Sequence, residues 1–227
     1  MDNMNNQGIS SNPTINDLQV AANGIKHMSE EQLEEILQLA MESSARDHSM
    51  LCSLTHHMMR ASEAAEMKVE NLNLRSQEIT IYRKKGSLTT TQPIMPYRGK
   101  PCLDEAKALK RWLAERKTNN ELSSFLWTSQ KGGALEPITV NRIFLKYAEQ
   151  VNEARIARGA QPIPEGAMRV HAIRHTVATL AADRGLDPYK LALRAGWASL
   201  SSALIYTHGS QALASKAYQE KAFEIFG

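Results

Sequence analysis

The sequence predicts a mainly α-helical domain with one small antiparallel β-sheet, an α+β fold. Three observations support this: apolar residues recur at helical spacing over most of the chain, the period changes to alternation only near residues 78–95, and Gly or Pro separates these segments. Residues 1–27 are rich in Asn, Gln, Ser and Gly, so we expect a flexible N-terminal tail or linker there. The domain itself is expected over residues 28–227.

Capping signals predict the helices at the front of the domain. Ser29 opens the capping-box pattern Ser-Glu-Glu-Gln, in which Gln32 reaches back to the start of the helix, and apolar residues at helical spacing follow. Asp47 is the expected N-cap of a second helix that ends near Arg60. A short third helix is expected over residues 62–68.

A change of period predicts the sheet. Residues 78–83 alternate and are rich in β-branched side chains, residues 84–87 form a turn, and residues 89–95 are a second β-prone run. Pro93 has no N–H to donate, so the returning strand is expected at an edge of the sheet or with a displaced start. Two or three antiparallel strands follow from this pattern.

The remainder of the chain again shows helical periodicity. A helix is expected from Leu103 onward, then a short buried segment at 125–127, a turn at 131–133 and a loop at 159–166. The other expected helices cover residues 138–157, 169–184, 187–195, 199–207 and 211–225.

Composition excludes several classes of protein. The chain has 227 residues, 42% of them hydrophobic and 22% charged, which is typical of a folded globular protein. No apolar run reaches membrane-spanning length, and the N-terminus lacks the basic and apolar parts of a secretory signal. Two cysteines, Cys52 and Cys102, cannot form a disulfide framework or a four-thiolate zinc site. A reducing cytoplasm is the expected compartment.

The charge is unevenly distributed along the chain. Residues 1–45 hold seven acids and one base, a net charge of −6, whereas the remainder holds 26 bases and 17 acids, a net charge of +9. A basic body attracts polyanions by releasing their counterions, which favours a nucleic acid as partner. The alternative is a solvated surface of scattered cations, and the basic helix face of Lys107, Lys110, Arg111 and Lys117 fits either interpretation.

Residues able to act on phosphate recur in a fixed order. His171 and Arg174 lie three residues apart and share a helix face, Trp197 follows 23 residues after Arg174, and Tyr206 follows nine residues after Trp197. Upstream lie Arg60-Ala-Ser-Glu63 and, in the expected hairpin turn, the pair Lys84-Lys85. Each element alone is a weak signal, and the ordered set is a strong one.

In this order the residues resemble the catalytic set of the tyrosine recombinases, the phage-integrase family. The resemblance covers residues 28–227 and implies a tyrosine recombinase catalytic-domain-like fold. It implies a catalytic set of Arg60, Lys84, His171, Arg174, Trp197 and Tyr206, with Lys85 as an alternative to Lys84. The family's usual Leu-Gly-His is Ala-Gly-Trp here, and because an indole only donates, no acid–base role follows for Trp197.

The resemblance also implies a reaction and its partners. Tyr206 would attack a phosphodiester of double-stranded DNA to form a covalent 3′-phosphotyrosine, the two arginines would stabilise the developing charge, and neither a metal nor ATP would be needed. His171 would donate to phosphate or accept the tyrosine proton, and the lysine would protonate the leaving 5′-oxygen. The expected assembly is a homotetramer on paired DNA sites, associated with the nucleoid, with accessory DNA-bending proteins as possible partners.

Several alternatives stay open at the level of sequence. Type IB topoisomerases use a similar set of residues, and a catalytically silent DNA-binding regulator is a third hypothesis. Glu63 is expected to brace the arginines, and His175 to pack or hydrogen-bond rather than catalyse. A zinc site at His56-His57 with His171 and His175 is disfavoured because no thiolate pair accompanies them.

Two further expectations concern the ends of the chain. Family members commonly carry another DNA-binding domain ahead of the catalytic one, for which some 27 leading residues leave no room. We therefore expect either a catalytic fragment or a short recombinase similar to those that invert fimbrial promoters. The terminal helix is expected to dock either on a neighbouring protomer or on its own domain.

Overall fold

A mainly helical domain with a three-stranded antiparallel sheet confirms the α+β prediction. The computed structural model describes residues 26–84 and 88–206. The helices are α1 Glu30–Ser43, α2 Ala45–His57, α3 Ala61–Ala65, α4 Glu105–Thr118, α5 Pro137–Ala157, α6 His171–Asp183, α7 Pro188–Ala195 and α8 Ser201–Leu204. Single 3₁₀ turns cover Val69–Asn71, Pro101–Leu103 and Glu165–Ala167. Lys85, most of the expected tail and the expected helix over 211–225 lie outside the described residues.

Local capping explains where the first two helices begin. Ser29 and Gln32 form the expected capping box at α1, with the Ser29 hydroxyl accepting from the Gln32 N–H. The assignment of Asp47 as a cap was wrong: Ser44 caps α2 and its hydroxyl accepts the Asp47 N–H. The Asp47 carboxylate instead accepts a hydrogen bond from the Tyr147 hydroxyl at 2.8 Å and thereby joins α2 to α5.

Helix α3 is shorter than expected because the backbone after it pairs with a distant segment. The Leu126 N–H donates to the Met67 carbonyl at 2.7 Å, and Lys68 forms an isolated β-bridge with Phe125. These non-local bonds compete with continuation of the helix to residue 68. Helix α8 is likewise shorter than the expected 199–207.

The sheet has the order β1 Leu72–Asn73, β2 Glu78–Ile81, β3 Thr90–Pro93. Strand β3 lies at an edge, as its proline requires, with Pro93 opposite Glu78. Ile79 and Ile81 point from β2 into the core, and the same alternation carries Arg83 to the buried side just after the strand. The guanidinium of Arg83, just after β2, therefore lies in the interior.

Two apolar clusters position the residues of the candidate site. The larger one joins α1, α2, α4 and α5 around the fully buried Trp127, Phe144 and Tyr147. The smaller one consists of Met58, Ala178, Leu191, Ala192, Ala195, Ala203 and Tyr206. Met58 ends α2 and Tyr206 follows α8, so the smaller cluster holds the last described residues against the end of an early helix.

The acids of α1 are paired across the fold rather than separate from the basic body. Glu35 accepts from Arg155 at 2.7 Å and also pairs with Arg158. Glu34 and Glu30 pair with Lys100, Glu30 also with Arg184, and Glu31 with Arg155. The acidic leading segment therefore neutralises part of the cationic charge next to it.

Within the described ranges, no helix combines the length and apolarity that crossing a membrane requires.

Candidate active site

Arg174 lies in the first turn of α6 and is buried. Its guanidinium donates to the Met58 carbonyl and, at 3.0 Å, to the Ala195 carbonyl. The guanidinium carbon lies 4.8 Å from the ring centroid of Trp197, a cation–π distance. Burial, followed by repulsion from Arg60 and Arg83, lowers the pKa of Arg174 to about 10, so it stays charged at neutral pH.

Arg60 lies at the N-terminus of α3 and is held by Glu63. Its Nη1 donates to the Glu63 carboxylate at 2.7 Å and to the Lys84 carbonyl at 3.2 Å, and its backbone N–H donates to the same carboxylate at 2.9 Å. Burial opposes ionisation of Glu63, but the bonds from Arg60 and the charge of Arg83 outweigh it and hold its pKa below the usual range. Glu63 therefore braces the first arginine, as the sequence suggested.

Tyr206 is buried beside Trp197, with 3% of its surface exposed. The two rings stack with centroids 5.5 Å apart and planes 2° from parallel. The Tyr206 hydroxyl lies 2.5 Å from Nδ1 of His175. Burial raises the pKa of Tyr206 to about 12, although the charge of Arg174 opposes the shift, so the phenol is protonated at neutral pH.

His175 is the basic group next to that phenol. Burial, then repulsion from His171, Arg174 and His27, lowers its pKa to about 4. A neutral imidazole can accept the phenol proton, whereas an imidazolium cannot. His171 is exposed at the start of α6, with its ring edge-on to His175 at 4.6 Å between centroids. Sequence reasoning gave His175 a hydrogen-bonding role but did not identify Tyr206 as its partner.

Lys84 contributes main-chain and side-chain contacts in different directions. Its carbonyl accepts from Arg60 and its N–H donates to Glu63 at 3.2 Å, which fixes the backbone beside the arginine. Its ammonium pairs with the exposed Glu66 on the far end of α3. Lys85 lies outside the described residues, so the choice between the two lysines stays a prediction.

The histidines that the sequence offered as zinc ligands have protein partners. His56 Nε2 lies 2.7 Å from the Leu103 carbonyl, and His57 Nε2 lies 2.9 Å from the Glu105 carboxylate. Among residues 26–84 and 88–206, no group of three His, Cys, Asp or Glu side chains is placed to hold a metal ion.

One buried residue of the cluster was missed at the level of sequence. Arg83 is buried, and its Nη1 donates to Glu63 at 3.0 Å on the side of the carboxylate away from Arg60's Nη1. Alternation along Ile79, Ile81 and Arg83 is the signal that could have revealed it, because it places all three on the buried face.

Together the described side chains make a connected cluster with a definite chemical capacity. The guanidinium of Arg174 packs on the Trp197 ring, which stacks on Tyr206, whose hydroxyl contacts His175. Planar guanidinium groups match the oxygens of a phosphate, and a phenol next to a neutral imidazole can lose its proton as it attacks. The arrangement therefore suits transfer of a phosphoryl group to a tyrosine.

Comparison with known proteins gives the family from sequence and a shared fold from solved structures. Residues 26–212 match the profile of the phage integrase family. Tyrosine recombinase XerA of Pyrococcus furiosus is 28% identical over 183 residues, covering 80% of this chain and 57% of the relative. The TnP I resolvase of Bacillus thuringiensis is 27% identical over 182 residues, covering 79% and 56%. The chain thus spans little more than half the length of these two relatives.

The fold matches solved structures as well. The Tn1549 transposon integrase, solved in complex with circular intermediate DNA, superposes with a TM-score of 0.65 at 18% identity, covering 85% of this chain and 64% of that one. Because the family profile covers most of its length, the chain belongs to the phage integrase family.

Proposed function

We propose that this chain carries the catalytic domain, over residues 28–227, of a site-specific DNA recombinase that works through a covalent 3′-phosphotyrosine at Tyr206. The observation that carries the proposal is the contact between the Tyr206 hydroxyl and a neutral His175, beside the charged Arg174. Family membership supports it, as do relatives named as tyrosine recombinases and a resolvase.

The first step makes one bond and breaks one. The Tyr206 oxygen attacks the scissile phosphorus, and the bond between phosphorus and the 5′-oxygen breaks. The phenol proton passes to an imidazole: the neutral His175 contacts the hydroxyl, and His171 lies edge-on to His175. Lys84, or Lys85 in its place, protonates the departing 5′-oxygen.

Charge stabilisation is the main contribution of the arginines. Attack concentrates negative charge on the non-bridging phosphate oxygens, and the preorganised guanidinium groups of Arg60 and Arg174 stabilise it without having to move. The indole N–H of Trp197 adds a neutral donor. Because the phosphotyrosine keeps the energy of the phosphodiester, a second DNA end can displace the tyrosine without ATP or a metal.

The proposed partner is double-stranded DNA. The Tn1549 integrase, which shares this fold, was solved with DNA bound, and the residues after position 45 of this chain carry a net charge of +9, from 26 bases and 17 acids. We further propose assembly as a homotetramer on two paired sites, close to the nucleoid and with accessory DNA-bending proteins where the sites require them. In that assembly, residues 211–225, outside the described part of the chain, would dock on a neighbouring protomer.

A plasmid assay tests the proposal after the site has been found. DNA trapped covalently on the protein in cells is sequenced, and two copies of the recovered site are placed as direct repeats on a supercoiled plasmid. The parent protein is expected to release recombinant circles, and Tyr206→Phe to release none. Tyr189→Phe, which removes the hydroxyl of an exposed tyrosine on α7, is the matched control and should react as the parent does.

Two results would contradict the proposal, and each identifies one alternative. Relaxation of a supercoiled plasmid that lacks the site would indicate a topoisomerase-like activity. Sequence-specific binding without any covalent adduct would indicate a regulator that binds DNA on the same scaffold.

A further inference from the structure

Arg83 contacts the C-terminal ends of two helices at the same time. Its Nη2 donates to the His57 carbonyl at 2.8 Å and its Nη1 approaches the Met58 carbonyl at 3.4 Å, both at the end of α2. Its Nη2 also reaches the Arg194 carbonyl at 3.2 Å, at the end of α7. Helix C-termini leave carbonyls without intrahelical partners, and a buried cation is well suited to satisfy them.

The end of α7 is held by a donor at each of three consecutive carbonyls. Arg194 accepts from Arg83 and, at 2.7 Å, from the Gln92 amide. Ala195 accepts from Arg174, and Gly196 accepts from the Leu88 N–H at 3.3 Å. Trp197 is the next residue, so these contacts fix the backbone from which its ring projects onto Arg174 and Tyr206.

Arg83 also shares acceptors with both arginines of the candidate site. The Met58 carbonyl accepts from Arg83 and from Arg174. The Glu63 carboxylate accepts from Arg60 and from Arg83, and the side chains of Glu63 and Arg83 have no solvent exposure. A displacement of Arg83 would therefore change the position of Arg60 through the shared Glu63 carboxylate, and that of Arg174 through the shared Met58 carbonyl.

Gly196 shows how closely the end of α7 approaches Arg83. A Cβ at this position would lie 2.8 Å from both Cγ and Nε of Arg83, closer than atoms can pack without a shift. The Nε atom is buried with no hydrogen-bond partner in the described structure, which fits a side chain held by its terminal nitrogens and by packing. Glycine also suits the left-handed φ of +68° at this helix end.

We propose that Arg83 is a positioning residue, which holds Trp197 and the two arginines in one cluster by fastening the ends of α2 and α7 together. Its importance for catalysis rests on the function proposed above, but its positioning role can be tested without DNA. Lysine keeps the charge of arginine but offers a single ammonium in place of a planar fork, so it cannot serve the same set of acceptors.

The test compares Arg83→Lys with Arg116→Lys by NMR of the tryptophan indole N–H groups in the free protein. Arg116 is the matched control because it is also a buried arginine bound to backbone carbonyls, those of Leu126 and Ser123, and it lies over Trp112 rather than Trp197. The sequence has three tryptophans, so three indole signals are expected, and Trp→Phe variants assign them.

Arg83→Lys is expected to shift or broaden the Trp197 signal and to leave those of Trp112 and Trp127 in place, whereas Arg116→Lys is expected to move Trp112 and spare Trp197. A Trp197 signal unchanged in Arg83→Lys, or moved equally by both variants, would overturn the proposal. Arg83→Gln, which retains neutral donors, replaces Arg83→Lys if the lysine variant does not fold.

A second readout connects the position of Trp197 to chemistry. On the recovered site, Arg83→Lys is expected to form the covalent adduct about 100-fold more slowly than the parent, with DNA affinity largely retained, because small displacements of reacting groups have effects of that size. Adduct formation at the parent rate would contradict the role. A parent protein that forms no adduct would contradict the proposed function instead, and the NMR comparison would still decide the positioning claim.

Discussion

Glu63→Gln is expected to lower the free energy of unfolding by about 3–5 kcal/mol, because it breaks a buried ion pair from one side. The carboxylate has no solvent exposure and is shared by Arg60 and Arg83. Glutamine has nearly the same shape as glutamate, so the loss of stability comes from removing the negative charge and from replacing one accepting oxygen by an amide donor. Two arginines that are close to a third, Arg174, would be left without their counter-ion.

Urea unfolding of the parent and the variant measures this effect, with Glu66→Gln as control. Glu66 is 60% exposed in its pair with Lys84, and exposed pairs contribute at most about 1 kcal/mol. Equal effects of the two substitutions would contradict the role given to Glu63.

The difference in free energy of unfolding between the parent and Glu63→Gln depends on pH with a definite sign. The contacts of Glu63 hold its pKa below the ordinary value of 4.5 in the folded protein. The contribution of the Glu63 carboxylate to stability is therefore fully present above pH 4.5, where Glu63 is ionised in both the folded and the unfolded protein. It declines as the pH falls toward the lower pKa of the folded protein. The difference between parent and Glu63→Gln should accordingly shrink in acid.

Arg174→Lys is expected to slow formation of the covalent adduct by about 10²–10³-fold, the usual effect of removing one preorganised donor from a developing oxyanion. Lysine keeps the positive charge, so DNA binding should change much less than the rate. The variant would also lose the contacts with the Met58 and Ala195 carbonyls and the packing on Trp197.

Single-turnover cleavage of a nicked duplex that carries the recovered site measures this rate. Arg184→Lys is the matched control, because Arg184 follows the same helix but is exposed and pairs with Glu30. A loss in Arg174→Lys that disappears at saturating DNA would indicate a role in binding alone and would contradict the assignment to the transition state.

Local rules were sufficient for much of the fold. The capping box at Ser29, the alternation of β2 and the edge position required by Pro93 depend on neighbouring residues, and the structure has all three. Where a distant segment competes, local rules failed. Asp47 serves Tyr147 instead of capping a helix, and α3 stops where residues 67 and 68 pair with residues 125 and 126.

The same distinction applies to the candidate site. The ordered set of Arg60, His171, Arg174, Trp197 and Tyr206 was predicted from residue type and spacing alone, and its catalytic role stays a prediction. The contact of His175 with Tyr206 and the sharing of the Met58 carbonyl by two arginines join elements far apart in the chain. Arg83 is intermediate, since alternation places it inward but only the packed ends of α2 and α7 explain why a cation is there.

Peptide mapping of the covalent adduct tests the central claim most directly. After the protein has reacted with a nicked duplex carrying the recovered site, nuclease trimming and proteolysis leave a short nucleotide on the attached peptide. We predict a nucleotide linked through its 3′-phosphate to Tyr206, with a free 5′-hydroxyl on the released strand. A nucleotide on any other residue, or one linked through a 5′-phosphate, would contradict the account.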